Sequence, residues 1–481
     1  MKKEIVILIA NQFFQKTFRN KGLLALLTIF IVVLGYVTFN GWTAFEEHHH
    51  SVEHHQDESR KSWEGNPDKH PHRMAHFGSF AFRLQHPLSI FDSGIESYTG
   101  NAVFLEAHKQ NTANFSEASL STGLVRFGDL NIAMLLQLIL PLIVFFLGYA
   151  TITSEKENGT LKIIYLQGAS IKDILLGKSL GLFLVTALFF IPALLCLWSI
   201  SLVENETINS VITFRSLLIT ICYILFYIIL CGITVIVSGK SKNSNKALLI
   251  LLSIWLLLFI IVPKTAQVLG NSIYPNLSKI EFKAAIEAEV SKQGDSHNPE
   301  DPYFNSLKDS ILKANKVTDI KDLPFNYGGF LMARGEKMSA VVYQKQHRQL
   351  INTYRKQNSI TNSLVLVNPY LAIKNLSMSL SGTNFETYAN FLSQTEQYRY
   401  EQSQFMNNLQ MKFISSKAKS SEGKVNVVSK EYWKSVPQFH YQYISVVKTL
   451  QQQLLAILSL CFWFSITIII IIKSTNRFKL I

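Results

Sequence analysis

Ten of the thirteen histidines of this 481-residue chain fall between residues 48 and 108: His48, His49, His50, His54, His55, His70, His72, His76, His86 and His108. Neutral imidazole is a good ligand for copper, zinc or nickel, and it changes charge near neutral pH. The dense run His48, His49, His50, His54 and His55 is therefore a candidate for metal binding or acid sensing. It lacks the cysteine, methionine or carboxylate spacing that would fix a coordination geometry. Residues 48–57 also lack an apolar face, so a solvated polar linker is the plainer expectation, and no metal is assigned to it.

A second stretch suggests mechanical rather than covalent chemistry. Ser154-Glu155-Lys156-Glu157-Asn158-Gly159-Thr160-Leu161 leads into a segment running to Lys178, with Ile163, Ile164, Leu166, Ile171, Ile174 and Leu175 as an apolar side. Gly159 permits a sharp turn, and Thr160 is placed to cap a short helix after it. Such a helix, lying along a membrane, would be a rigid knob for a partner's groove. Gly177-Lys178-Ser179 superficially resembles a phosphate-binding loop. That motif needs glycine five residues before its second glycine, where Lys172 stands, and a nucleotide-binding fold around it. No GxSxG, HExxH or GxGxxG sequence has a credible context. The chain is thus expected to have no catalytic residues, to be no enzyme by itself, and to bind no cofactor directly.

These residues must be positioned by membrane-spanning elements. Hydrophobic residues make up 48% of the chain and charged ones 16%, against about 25% charged in ordinary globular domains. A bilayer core of ~30 Å needs ~20 apolar residues in a helix. Six runs qualify: 22–42, 130–152, 179–203, 216–239, 247–270 and 449–472. None holds an Asp, Glu, Lys, Arg or His, counting the fifth as far as Pro263. Cys196, Cys222, Cys231 and Cys461 all fall within apolar stretches, which excludes a disulfide framework in the long polar segments.

Lysine and arginine set the orientation. Residues 1–21, 153–178, 239–246 and 473–481 hold 15 Lys and Arg against 4 Asp and Glu. That accounts for most of the net charge of +13 without nucleic acid. Both termini and these segments are expected on the cytoplasmic side. Residues 1–21, with Ile5, Leu8, Ile9 and Phe13 flanked by basic residues, read as an interfacial amphipathic helix.

Two polar segments, 43–129 and 271–448, are then extracytoplasmic. In the first, residues 77–105 read as short strands or turns. In the second, helices are expected over 276–292, over 329–358, and from the capping-box spacing of Thr383 and Glu386 to about Lys417. Breaks are expected at Gly294 to Pro302 and at Asn368-Pro369, and an exposed loop over Lys417 to Lys424. The fold class is mainly α: a polytopic membrane protein of six transmembrane helices with a large, mostly helical extracytoplasmic domain.

The chain resembles the ABC-2 type transporter permeases, in particular those carrying the domain of unknown function DUF3526. Glu155-Lys156-Glu157-Asn158-Gly159-Thr160-Leu161 is similar to that family's Glu-x-Glu-x-Gly-Thr-Leu signature, and Gly177-Lys178 to the Gly-Lys that follows it. Pro71 to His76, Leu105 to His108, Leu323 to Gly329, Ser381 to Phe385 and Val436 to Tyr441 also look like the family. Ser154 stands where the family usually has a basic residue. The resemblance implies a permease subunit acting in export, multi-pass in the plasma (inner) membrane of a bacterium. It implies a separate ABC ATPase subunit that uses the ATP and docks around Glu155, Glu157, Gly159, Thr160, Leu161, Gly177 and Lys178. It also implies a dimer with a second permease copy or a sister permease. The alternative from a different class is a membrane-anchored metal-binding or sensor protein using the outer histidines.

Overall fold

The computed structural model describes residues 2–113, 130–201, 206–294, 296, 298, 300–417 and 426–473. Apart from Lys417 and Lys473, the expected loop over 417–424 and the basic C-terminal segment lie outside the described residues.

The protein is mainly α, and six of its described helices are long and apolar enough to cross a membrane. Helix α1 (Lys3–Phe18) is separate from α2 (Lys21–Glu64), because the chain turns at Arg19 and Asn20 caps α2 by accepting from Gly22 N–H at 2.8 Å. After α2 come α3 (Pro71–Phe77) and an antiparallel pair, β1 (Ser79–Phe82) and β2 (Ala102–Leu105), in register Ser79 to Leu105. Next are α4 (132–148), the short α5 (Thr153–Glu157) and α6 (Thr160–Leu166), and the long α7 (Ile171–Ile200), α8 (Glu206–Lys240) and α9 (Ser244–Ile273). The polar domain adds α10 (Lys279–Ser291), α11 (Pro302–Ala314), α12 (Tyr327–Leu364), α13 (Pro369–Leu380) and α14 (Phe385–Phe413). Helices α15 (Glu431–Lys434), α16 (Val446–Gln452) and α17 (Leu454–Lys473) complete the chain.

Helix α2 corrects the expectation of a linker at 48–57. Its 44 residues extend ~65 Å at 1.5 Å per residue, about twice a bilayer core. No proline interrupts it after the apolar run, and its polar half is held by the far end of the chain. Trp63 Nε1 donates to Trp433 O at 3.0 Å, Gln56 Nε2 to Phe439 O at 3.2 Å, and Arg60 Nη1 to Val436 O at 2.7 Å.

Two spans contain π turns, Leu135–Ile139 in α4 and Leu256–Ile261 in α9. Each is followed within two residues by a proline, Pro141 or Pro263. Proline lacks the amide proton and its ring crowds the carbonyl four residues back. A widened turn relieves that clash and leaves carbonyls to be satisfied otherwise. Asn368 Nδ2 takes one of them, Leu258 O, at 2.7 Å.

The transmembrane core packs Phe145, Phe189, Tyr223, Phe226 and Tyr227 from α4, α7 and α8 out of solvent. Helix α13 joins this same core through Tyr370, Leu371, Ile373 and Leu376. The polar domain is therefore rooted in the bundle. Ser459 Oγ donates to Val365 O at 2.6 Å and Trp463 Nε1 to Leu366 O at 3.0 Å, fixing the preceding turn onto α17. At α14 the capping register is one residue later than expected. Asn384 is the cap, accepting from Thr387 N–H at 3.0 Å. Glu386 instead pairs with Arg355 at 2.8 Å. Asn384 takes the cap because its Oδ1 accepts the third amide, while the Thr383 hydroxyl is engaged with Met378 O.

Candidate functional site

At the end of the bundle opposite the polar domain, α5 and α6 form a tight projection between α4 and α7. Gly159 joins them with φ 71°, in the left-handed region where a side chain costs about 1–2 kcal/mol. No side chain caps α6. Thr160 is its first helical residue, not its cap, and its hydroxyl turns back to Glu155 O at 3.3 Å.

The apolar side expected over 163–175 is divided between two helices. Gly168, at φ 96°, ends α6. A reciprocal capping box then opens α7: Asp173 N–H donates to Ser170 Oγ at 3.3 Å, and Ser170 N–H to Asp173 Oδ2 at 3.2 Å. Ile174 and Leu175 are thus buried in the base of a span. On α6 itself, Leu161 is 5% exposed and anchors the helix in the core, whereas Leu166 is 84% and Ile163 54% exposed. The result is a short helix with one face rooted and an apolar tip turned outward.

Charged residues staple this projection to every neighbouring element. Lys178, buried at the base of α7, forms an ion pair with Glu155 and lies 5.6 Å from the centre of the Phe13 ring of α1. Lys156 Nζ donates to Gly239 O, in the last turn of α8, and at 3.4 Å to Ser241 O, in the turn between α8 and α9. Glu157 accepts from Ser244 N–H and Oγ–H, each at 2.8 Å, at the first turn of α9. Ser238 Oγ of α8 accepts Ile152 N–H at 3.0 Å and Thr153 N–H at 3.3 Å.

Helix α1 locks the other side. Lys2 N–H donates to Asp173 Oδ1 at 3.1 Å. Gly177 lets α1 approach α7: a Cβ there would lie 2.7 Å from Ile9 Cβ. Gly177 and Lys178 therefore lie at the foot of the projection, away from its exposed tip. Displacing either charge of a buried pair would strand the other at a cost of about 3–5 kcal/mol. The projection and its base are thus in contact with α1, α4, α7, α8 and α9.

The five histidines of the 48–55 run spread around α2. His48 Nε2 lies 2.6 Å from Asn101 Nδ2, and His49 Nε2 lies 3.1 Å from Glu53 Oε1. His54 and His55 face Glu58 at 3.5 and 3.4 Å. These last three are exposed on one helix. The run does not form a single cluster, because consecutive helical residues are rotated by about 100°. Among the described residues a second histidine group forms instead, His72, His76 and His108. The i, i+4 spacing of His72 and His76 was its one visible signal in the sequence.

The architecture is that of a mainly α, polytopic-like chain with six membrane-length helices and a large helical polar domain. Within it, residues 279–442 match a family profile described as a domain of unknown function (DUF3526), from the start of α10 into the segment between α15 and α16. No curated protein matches the chain.

Proposed function

We propose that the protein is the permease subunit of an ABC-2 type transporter acting in export, driven by a separate ATPase subunit that docks on α6. The basic end of the bundle would face the cytoplasm of a bacterium, and the polar domain, with its DUF3526 match, the outside of the inner membrane. The single observation that supports this reading best is the anchored α6. An exposed apolar tip, Ile163 and Leu166, stands on a base joined to four spans through Lys178, Lys156, Glu157 and Ser238. Force applied to the tip cannot dissipate in a loop; it must tilt the bundle. Two such chains, or this chain and a sister permease, would enclose a path between them.

The test uses the full-length chain purified with its associated subunits from native membranes. ATP hydrolysis sensitive to vanadate is expected to co-purify. Leu166→Asp, a surface change, should leave membrane insertion intact and abolish the co-purifying hydrolysis. Unchanged hydrolysis in Leu166→Asp and in Ile163→Asp would sink the docking assignment.

A further inference from the structure

Helix α3 and the turn after β2 bring three imidazoles together in the polar domain. His72 and His76 lie one helical turn apart on α3, and their ring centres are 4.6 Å apart. His108 approaches from the other segment, its ring centre 5.7 Å from that of His72 and 5.3 Å from that of His76. One nitrogen from each lies within 4.8 Å of the other two.

His108 is held there at a cost. Its φ is 66°, a left-handed conformation that costs a non-glycine residue of order 1–3 kcal/mol and persists only where its surroundings over-determine it. Glu336 of α12 supplies that constraint from 228 residues away in sequence. Its Oε2 accepts the His108 backbone N–H at 2.9 Å and lies 3.0 Å from His108 Nδ1. Glu336 Oε1 is in turn held by Arg399 Nη1 at 2.6 Å, and Arg399 is paired with Glu396 at 2.8 Å. A carboxylate on Nδ1 fixes the tautomer, turns the ring and raises the basicity of Nε2, as the outer-shell partner of a metal-bound histidine does. The two carboxylates against one guanidinium also leave a net negative charge behind the ring.

We infer that His72, His76 and His108 form a binding site for a divalent late transition metal, with Zn²⁺ as its simplest occupant, and that Glu336 is its positioning residue. An all-imidazole set suits zinc, copper or nickel over magnesium or calcium. Bonds of ~2.0–2.1 Å at tetrahedral angles need nitrogens about 3.3 Å apart. His76 is exposed, so its side chain can close the remaining gap of up to about 1.5 Å, and the fourth position opens to water. The site stands on residues separate from α6, so it holds whether or not the chain couples to an ATPase.

The experiment is a Zn²⁺ titration of the chelator-stripped, full-length protein in detergent by isothermal calorimetry. One tight equivalent is expected per chain, with a zinc K-edge absorption spectrum showing three imidazole nitrogens. His76→Ala, at an exposed position, should weaken it at least 100-fold while the metal-free protein melts at the same temperature as the parent. Glu336→Gln should weaken it about 10–100-fold. The double substitution His54→Ala/His55→Ala should leave the tight equivalent unchanged. Absence of a tight equivalent in the parent, its retention in His76→Ala, or its loss in the His54/His55 variant overturns the assignment.

Discussion

Glu157 and Ser244, 87 residues apart, are joined twice: the carboxylate accepts both the backbone N–H and the hydroxyl of Ser244 at 2.8 Å. A carboxylate at a helix N-terminus also faces the positive end of the helix dipole. Glu157 thereby holds the start of α9 against α5, beside Thr153, whose Oγ1 lies 2.9 Å from Ser244 Oγ. Glu157→Ala should leave the protein inserted and folded but expose the first turn of α9. Faster hydrogen exchange at the Ser244 and Asn245 amides is the expected signature; unchanged protection would show that Asn243, which caps Lys246 N–H at 2.9 Å, suffices alone.

Leu161 and Leu166 lie five residues apart on α6 with opposite environments. Leu161→Ala should destabilise the docking of α6 by about 2–5 kcal/mol, the range for buried leucine truncation. Leu166→Ala should stay within about 0.5 kcal/mol. Protease cleavage at residues 158–160 in detergent-solubilised protein reads this directly: accelerated in the first variant, unaltered in the second.

Helix α1 should depend on the absence of a side chain at position 177. In Gly177→Ala the new methyl would meet Ile9 Cβ at 2.7 Å and Val6 O at 3.0 Å. Overpacking of this kind costs roughly 1–3 kcal/mol, and α1 must move away from α7. Spin labels at the exposed positions Leu8 and Leu180 should report a longer, broader distance distribution. A distribution identical to the parent's would mean that the close approach is not constrained there.

Acid should loosen the contact between α10 and α12. His347 of α12 packs edge-on against Phe282 of α10 with ring centres 5.2 Å apart, and burial pushes its imidazole down to about 4. The unfolded imidazole titrates near 6.5, so the folded state takes up its proton later. The contribution of neutral burial is fully present above about pH 6.5 and declines as pH falls toward 4. It amounts to at most ~3 kcal/mol. Hydrogen exchange of α10 should rise over that window in the parent and stay flat in His347→Phe. A parallel rise in both would assign the effect to other groups.

How much of this was legible in the sequence follows from what each signal measures. The six charge-free runs were readable because exclusion of charge from lipid acts on every residue of a span. Gly159 was readable as a turn because only a residue without Cβ reaches φ 71° cheaply. Element ends were less readable. Polar residues 48–57 became helix because Trp63, Gln56 and Arg60 found partners near residue 436, and nothing local announces such partners. Ile171, Ile174 and Leu175 looked continuous with Ile163 until Gly168 and the Ser170 cap divided them.

By itself, then, the sequence determined where the chain must be helical in lipid, where its basic residues gather, and which short stretch between spans could turn sharply. Only the tertiary structure decided that Leu161 is rooted while Leu166 points out, that Glu157 reaches Ser244, and that His108 meets His72 and His76 under the hold of Glu336. Periodicity reports the faces of one helix. Which face meets which partner is set by packing between distant segments, 87 residues apart for Glu157 and Ser244 and 228 for His108 and Glu336, and no local spacing encodes that distance.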